Sequence, residues 1–165
     1  MTLIPQDPEL FNDSIGYNIT LGIPTKKDEV LEVIEMAQFK NTLSRLPSGL
    51  STNVLEKGVS LSGGEKQSLA LARGLLAAKK SDIVLLDEPT SSVDSINEIR
   101  IHDNIFEKYR NKTIISSIHK LHLLPKFDYI YMFDKGKIVA EGTYGDMQKN
   151  FQFRNILRRQ KNKKK

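Results

Sequence analysis

The 165 residues contain no cysteine, which excludes a disulfide framework and any thiolate metal site and is compatible with a reducing compartment. No apolar run approaches the ~18 residues that a membrane-spanning helix requires; the Ile-Val-Leu-Leu run at 83–86 is strand-sized. Met1 is followed by Thr-Leu-Ile-Pro-Gln-Asp, without a basic n-region or an apolar h-region, so no signal peptide is expected. Acids are missing from residues 151–165, where Arg154, Arg158, Arg159, Lys161, Lys163, Lys164 and Lys165 make seven bases. The remaining 150 residues hold 18 bases against 20 acids, a net −2, so the overall +5 belongs to a tail and not to a folded face. That tail reads as a solvated, frayed end. Only Phe151 and Phe153 are aromatic there, and no specific nucleic acid is expected as a partner.

What is present is an ordinary globular balance, 39% hydrophobic and 27% charged, at a length that fits one domain. Such a chain buries roughly 70% of its unfolded surface. Residues 1–4 read as the last part of a strand. Asp13-Ser14 opens a short helix with Ile15 and Ile19, and Lys27-Asp28 opens another along the stripe Val30, Leu31, Val33, Ile34 and Ala37. Pro47-Ser48-Gly49 marks a turn. A helix follows Ser62-Gly63-Gly64-Glu65 to about Ala78. The continuous run at 83–86 suits a strand buried on both faces of a parallel sheet. A helix over about 95–109, a strand over 113–118, and strands over 128–133 and 137–140 joined at Lys135-Gly136 come next, then a final helix from near Tyr144. The expected class is α/β, with a helical lobe over about 9–80, an α/β core over about 81–150 and a C-terminal helix end with the basic tail over 151–165.

Two blocks carry chemistry. In Ile-Val-Leu-Leu-Asp-Glu-Pro-Thr at 83–90, an apolar strand delivers Asp87 to the carboxyl edge of a sheet, where α/β folds bind ligands. Asp87 there can support Mg²⁺, and Glu88 can polarise an attacking water. The same two acids would also serve as a plain solvated strand end. In Leu-Ser-Gly-Gly-Glu-Lys-Gln at 61–67, two glycines permit close approach of an anion to a helix N-terminus, and Ser62 adds a hydroxyl. A plain helix cap would use the same residues.

Together these blocks resemble a known family. Residues 61–67 followed by Ala70-Leu71-Ala72-Arg73 look like the signature segment of ATP-binding-cassette ATPases, and Leu-Leu-Asp-Glu-Pro-Thr at 85–90 looks like their Walker B. Ser91-Ser92-Val93-Asp94 resembles the D-loop, His119 the switch histidine and Pro5-Gln6-Asp7-Pro8 the Q-loop. The resemblance implies an α/β, partial phosphate-loop nucleotidase core with an inserted helical subdomain. It implies Asp87 and Gln6 at Mg²⁺, Glu88 as general base and His119 at the γ-phosphate. Ser62, Gly63, Gly64 and Glu65 would cap ATP held by an opposite subunit, Asp94 would organise a head-to-tail dimer, and Gln6 would couple the core to a transmembrane domain. Residues 9–19 and 52–58 are similar to exporter-type cassettes, although Leu55 replaces a glycine usual there and Gly16-Tyr17 a more polar pair. His102 and His122 match no motif and read as surface or packing residues.

One motif is missing. The phosphate loop Gly-x-x-x-x-Gly-Lys-Ser/Thr does not occur; Gly58 and Gly63 have its spacing, but Gly64 stands where lysine is required. The expectation is therefore a cassette lacking its N-terminal third, with an unpaired sheet edge and a tendency to aggregate. Alone it is expected to be inactive, at the cytoplasmic face of a membrane and partnered by a second cassette. A soluble cassette ATPase of translation or DNA repair, and a non-catalytic interaction module, are the alternative readings.

Overall fold

The computed structural model describes residues 1–6, 9–54 and 60–162, with the side chains of 159–162 left aside. Asp7 and Pro8 of the Q-loop resemblance, most of the exporter-like stretch before the signature, Gly58 and the three terminal lysines therefore lie outside the described residues. The chain divides into two compact units, Met1–Ser117 and Ile118–Lys165.

The first unit holds a three-stranded parallel sheet of β1 (Thr2–Ile4), β2 (Ile83–Asp87) and β3 (Thr113–Ser117), in the order β1-β2-β3. Its helices are α1 (Ile15–Thr20), α2 (Lys27–Met36), α3 (Lys40–Arg45), α4 (Gly63–Ala78) and α5 (Ser95–Lys108). The short α1 is fixed from outside. Ser14 Oγ accepts from the Tyr17 N–H at 3.1 Å, and the buried Asn18 amide both accepts from the Phe11 N–H (2.8 Å) and donates to the Phe11 carbonyl (3.0 Å). The C-terminal end of α4 is held by Lys112, whose ammonium donates to the carbonyl of the C-cap Lys79 (3.0 Å) and to that of Ser81 beyond it (2.6 Å).

Ile4, Val84 and Leu86 join Leu71, Leu75, Ile101 and Ile105 in one buried cluster. Each fully buried aliphatic side chain there contributes on the order of 1.5–3 kcal/mol. The opposite face is different. Register aligns Leu3, Leu85 and Ile115 in a row across the three strands, with Leu3 59% and Ile115 57% exposed, and Ile83 is 38% exposed. The expectation of a strand buried on both faces is thus corrected: helices of the described residues cover only the Val84–Leu86 side, and β2 alternates between buried and open positions.

The second unit contains the hairpin of β4 (Ile130–Asp134) and β5 (Lys137–Gly142), followed by α6 (Tyr144–Met147) and α7 (Phe151–Asn162). Lys135 and Gly136 both take positive φ (47° and 75°), the conformation that a tight hairpin turn demands. The single helix expected from Tyr144 is two. The chain restarts at Asn150, whose Oδ1 accepts from the Phe153 N–H at 3.0 Å, a side-chain cap that ends one helix's continuity by beginning another. Leu124, Ile130, Met147 and Phe153 form this unit's own core.

Candidate active site

The carboxyl edge of the sheet carries two adjacent acids, Asp87 and Glu88. β2 ends at Asp87, and the next residue, Glu88, has φ +45°, a left-handed conformation uncommon for a residue with a Cβ. That twist turns the backbone sharply out of the strand. It is held by neighbours: the Glu88 N–H donates to Ser117 Oγ at 3.1 Å, the Ser117 hydroxyl donates to Asp87 Oδ1 at 2.7 Å, and the Ser91 N–H donates to the Glu88 carbonyl at 3.1 Å. The Gln6 side-chain amide, on the segment leaving β1, donates to Glu88 Oε2 at 3.4 Å. Gln6 thus meets Glu88, and Ser117 ties Asp87 to the Glu88 backbone.

The glycine motif stands at the N-terminus of α4. Ser62 caps it, accepting from the Glu65 N–H at 3.3 Å, while Glu65 Oε2 accepts from the Ser62 N–H at 2.8 Å and its hydroxyl at 2.9 Å, a reciprocal capping box. Glu65 Oε1 also accepts from Thr42 Oγ1 at 3.0 Å and from the Arg45 guanidinium. Burial pushes the Glu65 carboxyl up, but the Ser62 N–H, the Arg45 guanidinium and the two hydroxyls outweigh it and hold it at about 2. The Glu65 carboxylate is thus turned toward its own lobe. A Cβ at Gly63 would meet open space, whereas one at Gly64 would lie 2.7 Å from the Ser92 carbonyl oxygen. The D-loop backbone rests directly on the first turn of α4, and only glycine fits there.

Asp94 caps α5: its Oδ1 accepts from the N–H groups of Ile96 and Asn97, both at 3.0 Å, and its Oδ2 from the Asn97 side chain at 2.7 Å. These bonds, the Asn97 N–H foremost, hold its carboxyl below the usual range. Between Glu88 and Asp94, the buried Thr90 hydroxyl donates to buried Glu98 at 2.8 Å. His119 is exposed and belongs to the second unit. His102 is fully buried, with Nδ1 2.9 Å from the Glu98 carbonyl, while His122 is exposed.

Two contributors were not singled out by sequence reasoning. Ser117 sits in a strand whose register opposite Asp87 no local pattern reveals. Gln67 lay inside the signature block, and its place there was the signal; its buried amide reaches Gln6, Ser91 and Ser92.

Among the described residues no cluster of three or more His, Cys, Asp and Glu side chains could cage a metal. A Mg²⁺ that keeps water and phosphate oxygens and takes one or two protein ligands would suit the oxygens of Asp87 and Gln6. Among the same residues no helix is long and apolar enough to cross a membrane.

A family model for ABC transporters matches residues 1–91. A Rickettsia typhi protein named as an export ATP-binding/permease protein is 38% identical over 159 residues, 95% of this chain and 27% of the relative. A Streptococcus pneumoniae protein, the transport/processing ATP-binding protein ComA, is 36% identical over 146 residues, 87% of this chain and 20% of that protein. Among solved structures, a bacterial Atm1-family ABC exporter with ATP bound superposes with a TM-score of 0.84 at 35% identity, over 96% of this chain and 28% of that chain. The chain thus spans about a quarter of the length of such relatives. With motif order, sheet topology and the site at the carboxyl edge in agreement, the chain belongs to the ABC transporter family.

Proposed function

We propose that these residues are part of the ATPase domain of an exporter-type transporter, coupling hydrolysis of Mg-ATP to movement of a transmembrane domain at the cytoplasmic face of a membrane. The observation that carries this reading is the meeting of Gln6, Asp87 and Glu88 at the carboxyl edge of the sheet, beside a glycine-bearing helix N-terminus packed under the D-loop. As working divisions of this domain we propose the helical lobe over about 9–80, the α/β core over about 81–150 and the C-terminal helix end with the basic tail over 151–165.

In the proposed reaction a water attacks the γ-phosphorus in line, the bond to the β–γ bridging oxygen breaks, and its electron pair leaves with ADP. Glu88 accepts the water's proton and Gln6 orients that water; a role for His119 at the γ-phosphate is proposed from its motif alone. Asp87 and Gln6 would hold Mg²⁺, which when bound neutralises charge on the phosphates. Ser62 and the Gly63 and Gly64 N–H groups in the first turn of α4 would serve the ATP of a second cassette in a head-to-tail dimer, where a helix N-terminus favours an anion. Glu65 supports Ser62 through the capping box, and Asp94 shapes the dimer interface by fixing the start of α5. The segment for a membrane domain is 9–23. There Phe11 and Tyr17 meet edge to face at 6.1 Å, Arg73 lies 5.4 Å over the Phe11 ring, and Leu21 and Ile23 are exposed.

The 165 residues contain no phosphate loop. The chain on its own is proposed to bind Mg-ATP weakly and to be inactive, while its signature end completes the site of a cassette that has the loop. Calorimetric titration tests this. The expected result is no binding tighter than about 1 mM by the chain alone, and Mg-ATP-dependent association when a hydrolysis-deficient, loop-bearing cassette is added. Micromolar binding by the chain alone, or no association in the mixture, would contradict the proposal.

A further inference from the structure

Gln67 lies on the second turn of α4 and is 6% exposed. Its amide is used at both ends. Nε2 donates to Ser91 Oγ at 2.9 Å and to the Gln6 carbonyl at 3.1 Å, with the Glu88 carbonyl at 3.5 Å, and Oε1 accepts from the Ser92 N–H at 2.8 Å. The partner Gln6 is 61 residues away in sequence, and Glu88, Ser91 and Ser92 are 21, 24 and 25 away. Burying an amide is unfavourable unless its hydrogen bonds are made, so an aliphatic side chain would serve packing alone better. Here every bond of the amide goes to a segment that carries a proposed site residue.

A second contact reinforces the first. Ser92 is gripped on its N–H by Gln67, and its carbonyl sits so close above Gly64 that a Cβ there would come within 2.7 Å. The D-loop is fastened to α4 at two points one turn apart.

We propose that Gln67 is a positioning residue that locks the Glu88-to-Ser92 turn and the Gln6 backbone to the signature end of α4, so that they move as one body. The lock joins two ends with different duties. Glu88 and Gln6 face the nucleotide of this chain's own half-site, and Ser62-Gly63-Gly64 faces the partner's nucleotide. Displacing the Glu88 turn therefore displaces the signature end, and the two half-sites are coupled through one side chain. The duties of the ends rest on the function proposed above; the lock does not.

The test is amide hydrogen exchange by NMR on the full 165-residue chain, comparing Gln67, Q67L and Q67E. Q67L removes both donors and the acceptor. The Ser92 N–H is then expected to exchange about ten- to a hundredfold faster, the scale of losing one buried hydrogen-bond partner, while Leu71 and Leu75 inside α4 keep their rates. Q67E keeps an acceptor for the Ser92 N–H but sets a carboxylate oxygen against the Gln6 and Glu88 carbonyls, so Ser92 exchange is expected to rise by less than in Q67L. Unchanged Ser92 exchange in Q67L, or an equal rise at Leu71 and Leu75, would overturn the lock.

A kinetic arm reads the coupling. In the assembly with a loop-bearing cassette, Q67L is expected to lower kcat at the partner's site about tenfold with KM for ATP unchanged, because the partner's loop still holds the nucleotide. Q67E is expected to retain more of the rate. Full turnover by Q67L despite a released Ser92 would overturn the coupling. If the unsubstituted chain supports no turnover, the proposed function fails, and the exchange result still decides the lock.

Discussion

The Ser117 hydroxyl, at the end of β3, donates to Asp87 Oδ1 at 2.7 Å and accepts from the Glu88 N–H at 3.1 Å. One strand's side chain thereby bonds the Asp87 carboxylate and the Glu88 backbone as the chain leaves its neighbour. S117A is expected to destabilise the chain by about 0.5–1.5 kcal/mol, the range of a single hydrogen bond, and S117T to retain most of it. Urea midpoints check this; no difference between S117A and the unsubstituted chain would contradict the role.

Gly63 and Gly64 are adjacent but not equivalent. G64A pushes a methyl against the Ser92 backbone carbonyl, which cannot swing aside as a flexible side chain would. A loss of about 1–3 kcal/mol is expected, as for other overpacked sites. G63A meets open space and is expected to change stability by less than about 0.5 kcal/mol. Equal midpoints for the two variants would show that the D-loop does not rest on α4.

The capping box predicts an acid-sensitive stabilisation. Glu65 has its carboxyl held at about 2, below its ordinary 4.5. A depressed carboxylate contributes stability that is complete above 4.5 and fades as pH falls toward 2. The unsubstituted chain is therefore expected to melt above E65Q at pH 6, with the gap closing between pH 4.5 and 2. A gap of the same size at pH 6 and pH 2.5 would contradict ionic stabilisation by Arg45 and the hydroxyls.

The row Leu3, Leu85 and Ile115 leaves one apolar face of a parallel sheet open, and sheets of this kind are ordinarily covered on both faces. I115K is expected to raise the soluble fraction and reduce binding of a hydrophobic dye, without lowering the thermal midpoint. A lowered midpoint would mean that Ile115 is packed in solution.

Much of this was legible in the sequence because the signals were local. Ser14 and Ser62 announce their helices by hydroxyls placed to accept early N–H groups, and Lys135-Gly136 announces a hairpin by its tolerance of positive φ. The apolar run at 83–86 marked β2 but misjudged its burial, since composition cannot say which faces of a strand receive helices. The break at Asn150 was hidden because an asparagine cap inside a polar stretch resembles a continuing helix. Motif singled out Asp87, Glu88 and Gln6, and the contact between Gln6 and Glu88 spans 82 residues of sequence. Ser117 and Gln67 act through register and long-range bonds, and no periodicity carries those.

The central claim is that the signature end of this chain can complete an ATP site that its own sequence does not furnish. It is tested most directly by mixing the chain with a cassette that carries a phosphate loop but a disabled signature segment, and measuring release of inorganic phosphate. The chain is expected to restore turnover. G63D should abolish that rescue, because the new carboxylate enters open space at the helix N-terminus, leaving the fold intact while repelling the phosphate. No rescue by the unsubstituted chain, or equal rescue by G63D, would contradict the account.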